Sequence, residues 1–221
     1  IGEGRSREAI RPFFLWLGDA CQNIEAVAMD MNTAFDLEVQ KHCPKARIVY
    51  DLFHVIAKYG REVIDRVRVD QANQLRHDKS ARRLVKRSRW LLLRNPENLA
   101  ADQANKLDEL LSANAPLTTV YILKAQLKEL WYAPDEKTAR ARWKCWLAMA
   151  EESGIHALQL FARRLGNYLE GIVSSASYRL NTSVLEVMNN KIKVLKRMAY
   201  GYRDKAYFFL KIKDAFPGKA R

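Results

Sequence analysis

Two short apolar runs that each end in an aspartate place the strongest constraint on the fold. Residues Ile24–Met29 are followed by Asp30, and residues Ala46–Tyr50 are followed by Asp51. Short apolar runs of this kind predict buried strands, and the helical pattern of Thr33–His42 lies between them. Strand, helix and strand in this spacing predict a parallel βαβ unit. Both carboxylates would then lie at the carboxyl ends of neighbouring strands, where open α/β sheets bind their ligands.

The remainder of the chain has helical periodicity. Ser6 is the expected N-cap of a first helix that ends at Gly18. After Phe53 the apolar spacing is helical, with breaks at Gly, Pro, Asn and Ser. The helices predicted there cover Val55–Val69, Asn73–Leu93, Pro96–Ser112, Leu117–Trp131, Pro134–Glu151, Ile155–Gly171 and Ser183–Tyr200. An aromatic and basic tail follows Gly201, so the expected fold class is α/β but predominantly helical.

The positive charge is concentrated in two blocks. The 221 residues carry a net charge of +13. Residues 61–94 contain 11 basic and 4 acidic side chains, and residues 186–221 contain 10 and 3. Such blocks favour a polyanionic partner, most simply nucleic acid. No apolar run is long enough to span a bilayer, no signal-peptide pattern opens the sequence, and the three cysteines form no zinc or disulfide pattern. We therefore expect a cytoplasmic protein.

Several longer strings resemble a known family. Four strings, in their order along the chain, resemble bacterial insertion-sequence transposases of the ISL-three family. They are Gly2–Ser6, Val27–Asn32, Cys43–Val55 and Glu186–Tyr202. The resemblance covers essentially the whole chain and implies a DDE transposase. It implies a partial RNase H-like core with a large all-helical insertion. The domains expected are residues 1–54 of the core, the insertion at 55–180, and the catalytic-helix segment with its basic tail at 181–221.

The resemblance also implies which carboxylates act in catalysis. Asp30 matches the second carboxylate of the family and Glu186 the third, and both would be metal ligands. Two Mg²⁺ (or Mn²⁺) ions held by such oxygens can activate the attacking oxygen and neutralise the leaving one in phosphoryl transfer. The first Asp is expected on a strand upstream of Ile1, so we expect this chain alone to be inactive. The implied partners are double-stranded DNA, as insertion-sequence ends and target, and further copies of the protein in a synaptic complex.

The assignment of the second carboxylate has an alternative. Asp51 also ends a strand, and with His54 it forms the Asp-x-x-His pattern that resembles an orienting element of the family's core. We favour Asp30, because RNase H topology places that carboxylate after the fourth strand. Without the surrounding strings, either aspartate would be interpreted as a turn residue or helix cap.

Basic and amide side chains at helical spacing are candidates for DNA contact. Lys193 lies two helical turns after Glu186, so amide and ammonium groups adjoin that carboxylate. A second set forms a positive stripe whose opposite side is expected to be apolar, with Leu84, Val85, Trp90 and Leu91. The candidate DNA-binding residues are Arg82, Arg83, Lys86, Arg87, Arg89, Asn189, Lys191, Lys193, Lys196 and Arg197.

Other residues are expected to be structural, and other functions stay open. The aromatic side chains of the neutral middle are expected in the helical core: Trp131, Tyr132, Trp143, Trp146 and Phe161. The three cysteines are expected to be buried or partly buried thiols. One alternative function is a non-catalytic helical module that binds nucleic acid. Another is an assembly domain whose basic helices meet an acidic protein.

Overall fold

A computed structural model describes residues 4–180 and 182–217. The chain divides into two compact units. Unit 1 comprises residues 1–24, 32–46 and 181–221, and unit 2 comprises residues 25–31 and 47–180.

Among its described residues, unit 1 contains four α-helices. Their bounds are α1 Arg7–Leu17, α2 Thr33–His42, α12 Ser183–Met198 and α13 Lys205–Ala215. As predicted, Ser6 caps α1, because its hydroxyl oxygen accepts a hydrogen bond from the Ala9 N–H at 3.3 Å. Helix α13 lies in the tail that was not predicted to be helical. Its cap is Asp204, whose carboxylate accepts from the Ala206 and Tyr207 N–H groups.

A buried carboxylate holds α1 to α2. The Glu38 side chain has no exposed surface. It accepts hydrogen bonds from Arg7 Nε at 2.7 Å and from Arg11 Nη2 at 3.1 Å, and His42 Nε2 lies 3.3 Å away. Hydrogen bonds from Arg11 and then Arg7 lower the pKa of Glu38 to about 2. The carboxylate is therefore saturated by its neighbours and serves the packing of these helices.

Unit 2 contains the two strands and nine α-helices among its described residues. The bounds are β1 Ala26–Met29, β2 Arg47–Tyr50, α3 Leu52–Tyr59, α4 Asp65–Gln74, α5 Lys79–Arg87, α6 Arg89–Leu93, α7 Ala101–Ser112, α8 Ala115–Trp131, α9 Glu136–Glu152, α10 His156–Gly166 and α11 Leu169–Val173. A π-helical turn, Gly60–Ile64, joins α3 to α4.

The strands pair in parallel, as the sequence predicts. Met29 at the end of β1 is opposite Tyr50 at the end of β2. Asp30 and Asp51 therefore both follow the last paired residues, at the carboxyl edge of the sheet. The connection between the strands runs through α2. Within the described residues, the sheet consists of these two strands. An RNase H-like core therefore remains an expectation.

The core of unit 2 is aromatic and lies among α3, α8, α9 and α10. Trp143, Trp146, Tyr59 and Phe161 are fully or almost fully buried. Their polar atoms are paired, since the Tyr59 hydroxyl donates to Val120 O at 2.8 Å and Trp146 Nε1 donates to Leu123 O at 3.0 Å. Pairing removes the cost of burying these groups. The prediction that Trp143, Trp146 and Phe161 are core residues is confirmed.

Several local predictions were wrong. Asn73–Leu93 is not one helix, because the Asp78 carboxylate accepts from the Ser80 and Ala81 N–H groups and starts α5 anew. Ile155–Gly171 is also divided, into α10 and α11. Tyr132 is 73% exposed rather than buried, because it caps the end of α8. Cys145 is exposed too, whereas Cys21 and Cys43 are buried.

None of the helices in the described ranges combines the length and hydrophobicity that crossing a membrane requires.

Candidate functional site

The carboxyl edge of the sheet brings Asp30 and His54 together. Asp30 directly follows β1, and His54 lies in the first turn of α3, which directly follows β2. Asp30 Oδ1 is 2.6 Å from His54 Nε2, and about a third of each side chain is exposed. The pair is therefore fixed in position but open to solvent. A carboxylate in this state keeps oxygen surface available for a ligand.

Asp51 has a local structural role at the same edge. Its Oδ1 accepts a hydrogen bond from the Phe53 N–H at 2.9 Å, which makes it the N-cap of α3. N-capping fixes the start of a helix, and the start of α3 determines where His54 lies. The Asp-x-x-His pattern thus corresponds to a cap followed by the side chain that contacts Asp30. The contact between Asp30 and His54 was not predicted, because periodicity carries no information about pairs 24 positions apart.

Glu186 belongs to unit 1, in the first turn of α12, and its side chain is exposed. Asn189, Lys196 and Arg197 are exposed as well, and Lys193 Nζ is 3.4 Å from Asn190 Oδ1. Lys191 makes a contact within unit 1, and its role as a DNA contact stays a prediction. Its ammonium group donates to Ala215 O at 2.7 Å and lies 4.8 Å from the centre of the Phe216 ring. It therefore caps the end of α13 within unit 1.

The described residues do not complete a metal centre within either unit. Hard divalent cations take six or more oxygen ligands, in part from water. Among the described residues, no three or more His, Cys, Asp or Glu side chains are grouped closely enough to hold an ion. Asp30 could supply one oxygen ligand at the strand edge. The described residues of each unit do not supply enough neighbouring ligands for a two-ion centre.

Helix α5 presents a dense basic face. A shallow cavity of about 280 Å³ is lined by Lys79, Arg82, Arg83, Lys86 and Arg87. Arg83, Lys86 and Arg87 are exposed, and Arg82 has a buried Nε without a hydrogen-bond partner in the described chain. Like charges at this density repel one another, and an anionic ligand would relieve the repulsion.

The apolar residues predicted opposite this stripe are only partly buried. Val85 is buried, but Leu84 and Trp90 are 43% and 64% exposed. Serine at position 88 separates α5 from α6, so residues on the two helices do not continue one face. Arg89 Nε donates to both oxygens of Asp65, at 2.8 and 2.9 Å, and its role as a DNA contact stays a prediction. The sequence did not predict the contact between Asp65 and Arg89, because the two residues are far apart along the chain.

The chain matches known transposases in sequence. The model of the family DDE_Tnp_ISL3, described as "Transposase", matches residues 1–212. This match covers nearly the whole chain and shows that it is of the transposase class. The protein belongs to the ISL-three family of transposases, in agreement with the resemblance of its sequence strings.

Two relatives show how far the similarity extends. The chain is 62% identical to the transposase for insertion sequence element IS1001 of Bordetella parapertussis, over all of this chain and 55% of that protein. It is 26% identical to the transposase for insertion sequence element IS1557 of Mycobacterium tuberculosis, over 90% of this chain and 50% of the relative. The chain thus spans about half the length of the curated relatives it matches. No solved structure matches it.

Proposed function

We propose that this chain supplies catalytic carboxylates and DNA contacts to an insertion-sequence transposase that cuts element ends and joins them to target DNA. The observation that carries the proposal is Asp30 at the carboxyl edge of a parallel βαβ unit in a chain of this family. Asp30 and Glu186 are the proposed ligands of divalent cations, Mg²⁺ or Mn²⁺. When bound, such ions supply charge neutralisation at the transferred phosphate.

Asp30 and His54 have distinct proposed roles. Asp30 offers one carboxylate oxygen to a ligand while its Oδ1 faces His54 Nε2 at 2.6 Å. His54 holds the rotamer of Asp30 from one side, and the cap by Asp51 fixes the helix that carries His54. Asp51 is the alternative carboxylate, but one of its oxygens is already engaged by a backbone N–H.

The experiment replaces Asp30 or Glu186 by Ala in the full product of the gene. We expect excision of the element to fall by about a thousandfold or more, as when a main electrostatic contributor is removed. Binding to duplex DNA should change little. Asp51→Asn, which keeps an acceptor oxygen for the cap, is the matched control and should retain activity. Full activity of Asp30→Ala, together with loss in Asp51→Asn, would transfer the role to Asp51.

A second proposed activity is contact with the DNA backbone through α5. The supporting observation is the cavity lined by five basic side chains of one helix. The contact would be independent of catalysis, and it is the function that a non-catalytic module would keep. Arg83→Ala and Lys86→Ala should each weaken DNA binding and lower its salt dependence by about one released ion. Affinity that is unchanged in the double variant would exclude α5 from the interface.

A further inference from the structure

One acidic side chain lies at the base of the basic α5–α6 segment. Asp65, at the start of α4, accepts two hydrogen bonds from Arg89 Nε and lies 3.4 Å from Arg68 Nη2. It is one of only four acidic residues among positions 61–94. A single carboxylate therefore holds two guanidinium groups, and these groups come from different helices.

Each of the two arginines fixes a different part of the segment. Arg68 Nη1 donates to the backbone carbonyl of Lys86 at 2.7 Å, in the last turn of α5. A cation on the last carbonyls of a helix stabilises its end. The Arg89 guanidinium lies 4.9 Å from the centre of the Trp90 ring in α6. Through Arg68 and Arg89, Asp65 thus fixes the end of α5 and the start of α6.

The far end of the segment is fixed from α8. The Lys124 ammonium group donates to Leu92 O at 2.5 Å and to Arg94 O at 3.1 Å. Polar contacts therefore hold the α5–α6 segment at the junction of the two helices and at the end of α6, while the exposed face of α5 carries like charges that repel one another. A charged face that must match a row of phosphates gains affinity when its geometry is fixed before binding.

We propose that Asp65 is a positioning residue for DNA binding, which holds the basic face of α5 in the geometry that contacts phosphate. The inference rests on the proposed contact between α5 and DNA. Asp65 itself does not touch DNA. It acts through Arg68 and Arg89, and its negative charge is tolerated on a DNA-binding surface because both of its oxygens are occupied by cations.

A positioning role for Asp65 and simple electrostatics predict opposite effects of Asp65→Asn on DNA affinity. Replacing Asp65 by Asn removes a negative charge, which should tighten binding to a polyanion if charge alone mattered. If Asp65 positions α5, the same change should weaken binding, by about tenfold, the scale of one or two lost ionic contacts. The salt dependence should fall by about one released ion.

Asp70→Asn is the matched control. Asp70 lies on the same helix α4 and is exposed, and within the described chain no hydrogen bond or ion pair of its side chain occurs. Asp70→Asn changes the net charge by the same amount as Asp65→Asn but does not release an arginine. We expect Asp70→Asn to bind DNA as tightly as the parent or up to about threefold more tightly.

The experiment measures fluorescence anisotropy of a labelled duplex oligonucleotide with the 221-residue chain, over about 50 to 200 mM salt. Circular dichroism verifies that Asp65→Asn is folded, and if it is not, Asp65→Glu and Arg89→Lys serve instead. Asp65→Glu keeps the charge and should recover part of the affinity. Arg89→Ala should lower affinity about as much as Asp65→Asn, and the double variant should lose little more, since both act in one network.

Two kinds of failure are distinguishable. If the folded Asp65→Asn variant binds DNA as tightly as Asp70→Asn with an unchanged salt dependence, Asp65 does not position the face. If the parent chain shows no salt-dependent binding, or if the Arg83→Ala and Lys86→Ala double variant binds normally, the proposed DNA contact itself fails.

Discussion

The two units are stabilised in different ways. Unit 2 has an aromatic core in which Trp143, Trp146 and Phe161 are almost completely buried. Unit 1 has a smaller buried set, and its first two helices are joined by the charged cluster around Glu38. Helix α12 of unit 1 has no buried residue among those described, although it is 16 residues long.

The two units differ in how much of their apolar surface is buried. Most of the buried apolar side chains belong to unit 2, whereas Asp30 and His54 at its sheet edge are partly exposed. In unit 1, apolar side chains of α12 are exposed to solvent, among them Val184, Val187 and Met198. Amphipathic spacing alone therefore does not show whether a helix face is covered.

The largest expected effect is in the core of unit 2. Trp146→Ala would remove a fully buried ring and its hydrogen bond to the Leu123 carbonyl. We expect a loss of about 3–5 kcal/mol in the free energy of unfolding, as for other large-to-small core substitutions. Tyr132→Ala is the control at an exposed aromatic position and should change stability by less than about 0.5 kcal/mol. Guanidinium unfolding followed by circular dichroism measures both. Equal effects would contradict the packing described for α9.

The next effect concerns the charged cluster of unit 1. Glu38→Gln removes the charge that two guanidinium groups share, and an amide cannot accept from both with the same strength. We expect the melting temperature of unit 1 to fall by several degrees. Hydrogen exchange of the α1 and α2 peptides should speed up while peptides of α9 are unaffected. Glu186→Gln, at an exposed position of the same unit, should leave exchange unchanged. Protection of α1 and α2 that survives Glu38→Gln would assign their packing to Phe14 and Val39 instead.

A glycine tests the packing of α11 on β2. A Cβ on Gly171 would lie 2.4 Å from the Tyr50 ring, which itself packs against Tyr168. Gly171→Ala should cost about 1–3 kcal/mol by overpacking. Gly166→Ala is the matched control, because a Cβ there meets nothing within 4 Å and alanine is the better helix residue. That control should gain about 0.5–1 kcal/mol. The same chemical change is thus expected to have opposite signs in thermal unfolding.

The sequence was sufficient for features that depend on local patterns. Short apolar runs located both strands, and strand–helix–strand spacing gave their parallel pairing. It also placed Asp30 at the ligand edge. The contact of His54 with Asp30 and that of Asp65 with Arg89 could not be predicted, because each joins residues 24 positions apart whose approach depends on tertiary packing.

Caps explain most of the errors in the helix boundaries. Asp78 and Asp204 each accept two backbone N–H groups and begin a helix that hydrophobic spacing did not separate or detect. An aspartate directly before a helical pattern is a local signal, so these helices could have been located. The exposure of Tyr132 had no such signal, since it depends on where α8 ends.

Acid should weaken unit 1 through the same cluster. The pKa of Glu38 is lowered from 4.5 to about 2 by Arg11 and Arg7. A carboxyl whose folded pKa is depressed adds stability above its unfolded pKa and loses it as pH falls through the folded value. Exchange protection of α1 and α2 should therefore be constant above about pH 5 and decline from pH 4.5 toward 2. In Glu38→Gln this dependence should disappear. Its persistence there would attribute the acid sensitivity to other carboxylates.

The smallest expected effect is on α12, and it tests the comparison most directly. Val187 is 69% exposed, so Val187→Ser removes little buried apolar area. We expect the free energy of unfolding to change by less than about 0.5 kcal/mol. Val39→Ser, in the buried face of α2, is the matched control within the same unit, and it should cost about 1–3 kcal/mol through lost burial. Thermal unfolding and hydrogen exchange of both segments measure the pair. A cost at Val187 as large as that at Val39 would mean that α12 is covered in solution, and the contrast between the units would then lie in their charges rather than in their packing.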